Sequence, residues 1–161
     1  MWRNGFDAES RELSMCYWIR GNPMFDSIIR AITARALIVE DHPETRRFFR
    51  VSLKEIGWEV VEAASAAEGR QRFVEFQPQV VTLDIRMAQV GSVSSLDFFR
   101  AIRRGAPQTA VFMVTGVLSH HERQKYLDEG ARGFFLKPVL RMDAFETLFR
   151  EIGAVRSQIV A

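Results

Sequence analysis

Four apolar runs in this chain each stop at a polar or charged residue, and that pattern limits the folds open to it. Ala36-Leu37-Ile38-Val39 leads into Glu40-Asp41, and Val80-Val81-Thr82-Leu83 leads into Asp84. Ala110-Val111-Phe112-Met113-Val114 leads into Thr115, and Gly133-Phe134-Phe135-Leu136 leads into Lys137-Pro138. Short runs rich in β-branched and aromatic residues read as strands buried on both faces. Helical periodicity fills the gaps between them, so the sheet is parallel, covered on both sides and joined by right-handed crossovers. In an open α/β sheet the C-terminal strand ends form one edge, where ligand sites lie. Asp84 is placed at the centre of that edge.

Between the runs the punctuation is regular. Pro43 sits in the first turn of a helix with Glu44 near its positive end. Phe49, Leu53 and Ile56 mark its buried stripe, and Gly57 stops it. Trp58-Glu59-Val60-Val61-Glu62 alternates as a second strand. Ser65 reads as an N-cap, with Glu68 completing a capping box for a helix that runs to about Phe76 before Pro78. After Met87, Ala88 to Ser94 is a flexible loop, and Ser94 or Ser95 caps a helix from about Leu96 to Arg104. Ser119 caps a helix through Glu129, closed by Gly130. A last helix, about Met142 to Ile152, carries Phe145, Leu148, Phe149 and Ile152 on one side. The class is α/β, five parallel strands with five helices.

Residues 1–34 read as an N-terminal extension to this unit. Residues 1–23 show no period, and a disordered leader, a partner-docking segment or a true start at Met24 all fit, with disorder favoured for Met1–Gly5. The spacing of Phe25, Ile28, Ile29 and Ile32 predicts a short amphipathic helix over about 25–33 that packs on the domain or on another chain.

A length of 161 residues allows one domain with its own core plus this segment. The net charge of +2 is small and the basic residues are scattered, with Arg46-Arg47 and Arg103-Arg104 on predicted solvated helix faces. No direct nucleic-acid binding is expected. Cys16 is the single cysteine, which excludes an internal disulfide and a cysteine metal cluster. No apolar run reaches membrane-spanning length and no signal-peptide pattern opens the chain, so a cytoplasmic protein away from membranes is expected. There is no Gly-x-Gly-x-x-Gly or Gly-x-x-x-x-Gly-Lys-Ser/Thr, so no organic cofactor is expected. His120 and His121 begin a predicted helix and read as solvent-facing, with no third ligand nearby.

Glu40, Asp41 and Asp84 at adjacent strand tips would repel one another and lose hydration. A divalent cation that prefers oxygen relieves this, and Mg²⁺ binds through few carboxylates while keeping waters and phosphate oxygens. Lys137, one of only three lysines in an arginine-rich chain, adds a cation, and Thr115 adds a hydroxyl. This set suits a transferring phosphoryl group, with Asp84 as nucleophile forming an acyl phosphate. A purely structural Lys137–Asp84 salt bridge is the plainer alternative.

On these residues the chain from about Arg35 to Arg156 resembles the receiver domain of bacterial response regulators, the CheY-like family. The match lies in Glu40-Asp41, Asp84, Thr115, Lys137-Pro138 and Gly130-Ala131. The resemblance implies a receiver domain over 35–157 with a flavodoxin-like sheet of order 2-1-3-4-5. It implies phosphotransfer to Asp84 from a histidine kinase or histidine phosphotransfer protein, making the chain a phosphoacceptor rather than an enzyme acting on other molecules. Mg²⁺ would be bound by Asp41, Asp84 and the backbone carbonyl of Arg86, with Glu40 helping through water. Thr115 and Phe134 would form the switch, the Lys137-Pro138 bond would be cis, and the face of helix four, strand five and helix five would signal to a downstream protein, with homodimerisation also open.

Three departures from the family pattern stand out. Ala88 follows Met87 where the family has proline, and the loop to Leu96 is about three residues longer. Phe134 replaces the usual tyrosine. Arg86 and Val117 flank the phosphoryl position, and their bulk is expected to slow water attack. The sequence after Ile152 leaves no room for a DNA-binding output domain, so a single-domain regulator is expected. A degenerate receiver acting without phosphate is the alternative, and an aspartate-nucleophile phosphohydrolase is disfavoured because Arg86 stands where such enzymes have a second Asp.

Overall fold

The computed structural model describes residues 33–87, 92–116, 118–137, 150–155 and 158. Five strands form one parallel sheet: β1 (Arg35–Val39), β2 (Glu59–Ala63), β3 (Val80–Asp84), β4 (Ala110–Thr115) and β5 (Gly133–Leu136), in spatial order β2-β1-β3-β4-β5. Four helices alternate with them, α1 (Pro43–Glu55), α2 (Ala66–Phe76), α3 (Ser95–Gly105) and α4 (His120–Asp128), and residues 150–155 are helical (α5). The α/β class and the strand order agree with the sequence reading.

The central strands are apolar because both faces are covered. One face packs Ala36, Ile38, Val80, Phe112, Val114 and Phe135 against Phe49 and Leu53 of α1 and Ile152 and Val155 of α5. The other packs Leu37, Val39, Val81, Leu83, Val111 and Met113 against Phe98, Phe99 and Ile102 of α3. At each strand, alternate residues feed alternate cores, which is the period-2 consequence of the pleat. Gly69 of α2 lets that helix sit close, since a Cβ there would lie 3.0–3.1 Å from Val39 and Phe98 side-chain atoms.

Helix ends follow the chemistry of their first residues. The Ser94 side chain accepts from the Asp97 amide while Asp97 accepts from the Ser94 amide, and Ser119 and Glu122 form the same reciprocal box. At α2 the expected box is only half made: Ser65 accepts from the Glu68 amide, but the Glu68 carboxylate reaches one residue further, to the Ala64 amide at 2.9 Å. Gly57 and Gly130 take positive φ after α1 and α4, where a left-handed residue ends the helix.

Two other boundaries differ from the sequence reading. β2 starts at Glu59, and Trp58 is buried in the core ahead of it. Val60, Val61 and Glu62 are all half-buried instead of alternating, because β2 is an edge strand partly covered on both faces. The last helix continues to residue 155, three past Ile152. The expectations for residues 1–32, residues 88–91, Val117, Pro138 and residues 142–149 lie outside the described residues.

Candidate functional site

The sheet order makes β1 and β3 neighbours, with Val39 paired to Leu83. Glu40, the residue after β1, therefore stands beside Asp84 at the end of β3. A bond from the Glu40 amide to the Ala63 carbonyl, 3.0 Å, continues the ladder past the end of β1. Lys137 follows β5 and is fixed by its own amide donating to the Thr115 carbonyl at 2.8 Å. Its side chain crosses to the middle of the edge.

There Lys137 Nζ donates to Asp84 Oδ2 at 2.7 Å and to Glu40 Oε1 at 2.8 Å. The Asp84 and Glu40 side chains are only 4% and 1% exposed. The lysine thus bridges two buried carboxylates, which goes beyond the single Lys137–Asp84 salt bridge weighed from sequence. Asp84 Oδ1 accepts from the Arg86 amide at 3.0 Å, and Glu40 Oε1 also accepts from the His42 amide at 3.2 Å. Burial pushes the Glu40 carboxyl above its usual range; the Lys137 hydrogen bond pulls it back, and the Asp84 charge adds to the rise. For Lys137, burial pulls the ammonium down, but the hydrogen bonds to Asp84 and Glu40 outweigh it, and the net shift is upward.

One carboxylate oxygen from each of Glu40, Asp41 and Asp84 lies within 4.8 Å of the others, the one such metal-capable group among the described residues. Glu40 Oε2 is buried and accepts no hydrogen bond. Three oxygen donors against one ammonium leave a negative excess, and an orphaned carboxylate oxygen in that setting fits a hard divalent cation better than a thiophilic one. The residues present therefore fit the Mg²⁺ that the sequence led us to expect.

Thr115 is fully buried. Its neighbour Val114 is the partner of Asp84 across the β3–β4 ladder, so Thr115 belongs to the opposite sheet face from Asp84. Phe134 is on that same face, since it pairs with Met113 two residues before Thr115. The Phe134 ring is half-buried, set edge-on to Tyr126 with centroids 6.3 Å apart and beneath the Arg123 guanidinium at 5.2 Å. Glu40, Asp84 and Lys137 are thus directly bonded, Asp41 completes the carboxylate group, and Thr115 and Phe134 form a second set across the sheet. Arg86 is exposed and enters the site through its amide; His120 and His121 are exposed.

The sequence reading missed two arginines by assigning both Arg-Arg pairs to solvated faces. Arg47 and Arg104 are exposed, as expected. Arg46 instead donates to the carbonyls of Glu40 and Asp41, and Arg103 donates to those of Ala106, Pro107, Thr109 and Gly130. The available signal for Arg46 was its position, one helical turn into the helix that follows the acidic pair.

Comparison with known proteins agrees with this fold. The family model for the response regulator receiver domain matches residues 36–149. A protein-glutamate methylesterase/protein-glutamine glutaminase from Myxococcus xanthus is 34% identical over 104 residues, covering 63% of this chain and 29% of its own length. The chemotaxis protein CheY of Bacillus subtilis is 29% identical, covering 65% of this chain and 85% of its own. A crystal structure of a receiver domain protein from Clostridium thermocellum superposes with a TM-score of 0.66 at 27% identity, covering 78% of this chain and 95% of that one. The chain spans about half or less of the length of the first curated relatives it matches.

Proposed function

The chain belongs to the response-regulator receiver family, and from that premise we propose that it is a response regulator whose receiver domain accepts a phosphoryl group on Asp84. The donor is the phosphohistidine of a histidine kinase or a histidine phosphotransfer protein, and the receiver domain spans 35–157 behind the extension 1–34. The observation that carries this reading is the Lys137 ammonium, 2.7 Å from Asp84 and 2.8 Å from Glu40 inside an acidic group at the sheet edge.

An Asp84 carboxylate oxygen attacks phosphorus as the P–N bond breaks, and the bonding electron pair leaves with the imidazole. Lys137 exchanges one carboxylate partner for a phosphoryl oxygen, so its charge stays with the group that becomes more negative. The Arg86 amide holds the other Asp84 oxygen in place. Asp41, Asp84 and the Arg86 carbonyl would hold Mg²⁺, with Glu40 assisting through water. When bound, the ion supplies positive charge against the equatorial phosphoryl oxygens. The Thr115 hydroxyl, at the strand tip one residue past the Val114 that pairs with Asp84, moves round the sheet edge to donate to a phosphoryl oxygen, and Phe134, on the same sheet face as Thr115, moves inward behind it. That movement shifts a pre-existing equilibrium and changes the α4–β5–α5 surface read by a downstream protein. Self-catalysed phosphotransfer and slow autodephosphorylation are the only chemistry assigned, and the proposed setting is the cytoplasm. Among the described residues no helix is long and apolar enough to cross a membrane.

Intact mass after incubation with acetyl phosphate tests the reading. One added phosphoryl group that requires Mg²⁺ and is absent from Asp84→Asn is expected. If neither acetyl phosphate nor a phosphorylated histidine kinase adds mass to the wild type, the chain is a receiver that signals without phosphate.

A further inference from the structure

One guanidinium reaches the acidic turn through its backbone carbonyls. Arg46 lies in the first turn of α1, and its Nη1 donates to the Glu40 carbonyl at 2.7 Å and the Asp41 carbonyl at 3.2 Å. Its own amide donates to the His42 carbonyl at 3.0 Å. A single residue thus engages three consecutive carbonyls of the β1–α1 turn. Its Nε lies 3.6 Å from Glu62 Oε1 on β2, and Arg50 lies 3.5 Å from the other Glu62 oxygen. The Arg46 side chain is 23% exposed, less than a solvated helix arginine would be.

We propose that Arg46, oriented by Glu62, is a positioning residue that holds the Glu40–Asp41 turn so that its carboxylates converge with Asp84 on a divalent cation. This rests on the reading of the acidic group as a cation site. The turn concentrates like charges, and a backbone rotation that carries Asp41 away from Asp84 relieves their repulsion. A guanidinium whose Nη1 bonds two successive backbone carbonyls, while its Nε faces Glu62, opposes that backbone rotation. Its bonds to the turn go to carbonyl oxygens. Lys137 does the reverse: it occupies Glu40 Oε1 and Asp84 Oδ2, and therefore competes with the cation for them.

The two cations consequently differ in the sign of their effect. If Arg46 acted by charge alone, removing it would strengthen cation binding to an acidic site. A brace gives the opposite result, and outer-shell partners of metal ligands typically cost about 10–100-fold in affinity when lost.

The test is calorimetric titration of the full chain with MgCl₂, for wild type, Arg46→Met and Arg46→Lys, with amide hydrogen exchange alongside. Arg46→Met is expected to bind Mg²⁺ about tenfold more weakly. Arg46→Lys keeps the charge but cannot bond the carbonyls through one nitrogen while a second faces Glu62, and is expected to weaken binding as well; it carries the test if Arg46→Met does not fold. The His42 amide, which donates to Glu40 Oε1, should exchange faster in both variants while β3 amides stay protected. Equal or tighter Mg²⁺ binding in either variant overturns the proposal, as does unchanged His42 exchange. A wild type that takes up no Mg²⁺, with His42 exchange still faster in the variants, would leave the brace standing and overturn the cation site.

Discussion

Replacing Lys137 with Met should reveal how much of the fold's stability depends on a single ammonium. In the native protein it contacts two carboxylates, at 2.7 and 2.8 Å, whose side chains are at most 4% exposed. At an effective dielectric of about 20, each contact is an attraction of about 6 kcal/mol before desolvation is counted. Burying the ammonium costs several kcal/mol in return, so the net loss on removing it follows the measured range for a broken buried pair, about 3–5 kcal/mol. For a chain of this size that lowers Tm by about 10 °C.

The pH dependence has a definite sign. Glu40 is already raised by burial, and Lys137 is the main influence holding it down, so in Lys137→Met it rises further. A carboxyl with a folded pKa above its unfolded one contributes stability in acid and loses it as pH rises through the folded value. The deficit of the variant should therefore be largest near about pH 7 and shrink as pH falls toward about 5. The wild type's raised Lys137 works alongside: its contribution is complete below the ordinary lysine range and fades as pH rises through the raised value. Urea unfolding of both proteins at the two pH values measures this. A deficit under about 1 kcal/mol at neutral pH, the size of an exposed pair, or one that grows on acidification, would refute the reasoning.

Saturating Mg²⁺ should stabilise the wild type by about 2.7 kcal/mol at one hundred times its Kd, and Asp84→Asn should lose most of this in a thermal melt. Gly69→Ala should destabilise by about 1–3 kcal/mol in urea melts, since overpacking against Val39 and Phe98 outweighs the gain in helix propensity. Ser94→Ala should cost about 1 kcal/mol in the same assay, through loss of the box with Asp97.

The strand tips were legible because strands buried on both faces are apolar throughout, so a polar residue at the end stands out. Glu40, Asp84, Thr115 and Lys137 were found this way. The Lys137–Asp84 contact was legible, but the second partner, Glu40, was not, because it depends on β1, β3 and β5 converging. The separation of Thr115 from Asp84 onto opposite faces needed the ladder register, with Val114 opposite Asp84. Arg46 escaped because helical periodicity describes a face, and cannot say that a side chain on that face turns back to the carbonyls before its own helix. The Glu68 bond to Ala64 escaped for a smaller reason: a capping pattern fixes the partners to within one residue only.

Asp84, of all the carboxylates at this edge, is the one proposed to carry the phosphoryl group. Treating the acetyl phosphate-loaded protein with borohydride reduces an acyl phosphate to the alcohol, converting the modified aspartate to homoserine, which peptide mass mapping then locates. Phosphorylation at Asp84 predicts homoserine at position 84 and nowhere else. A reduced residue at 41, or a phosphorylated chain with position 84 unchanged, would contradict it.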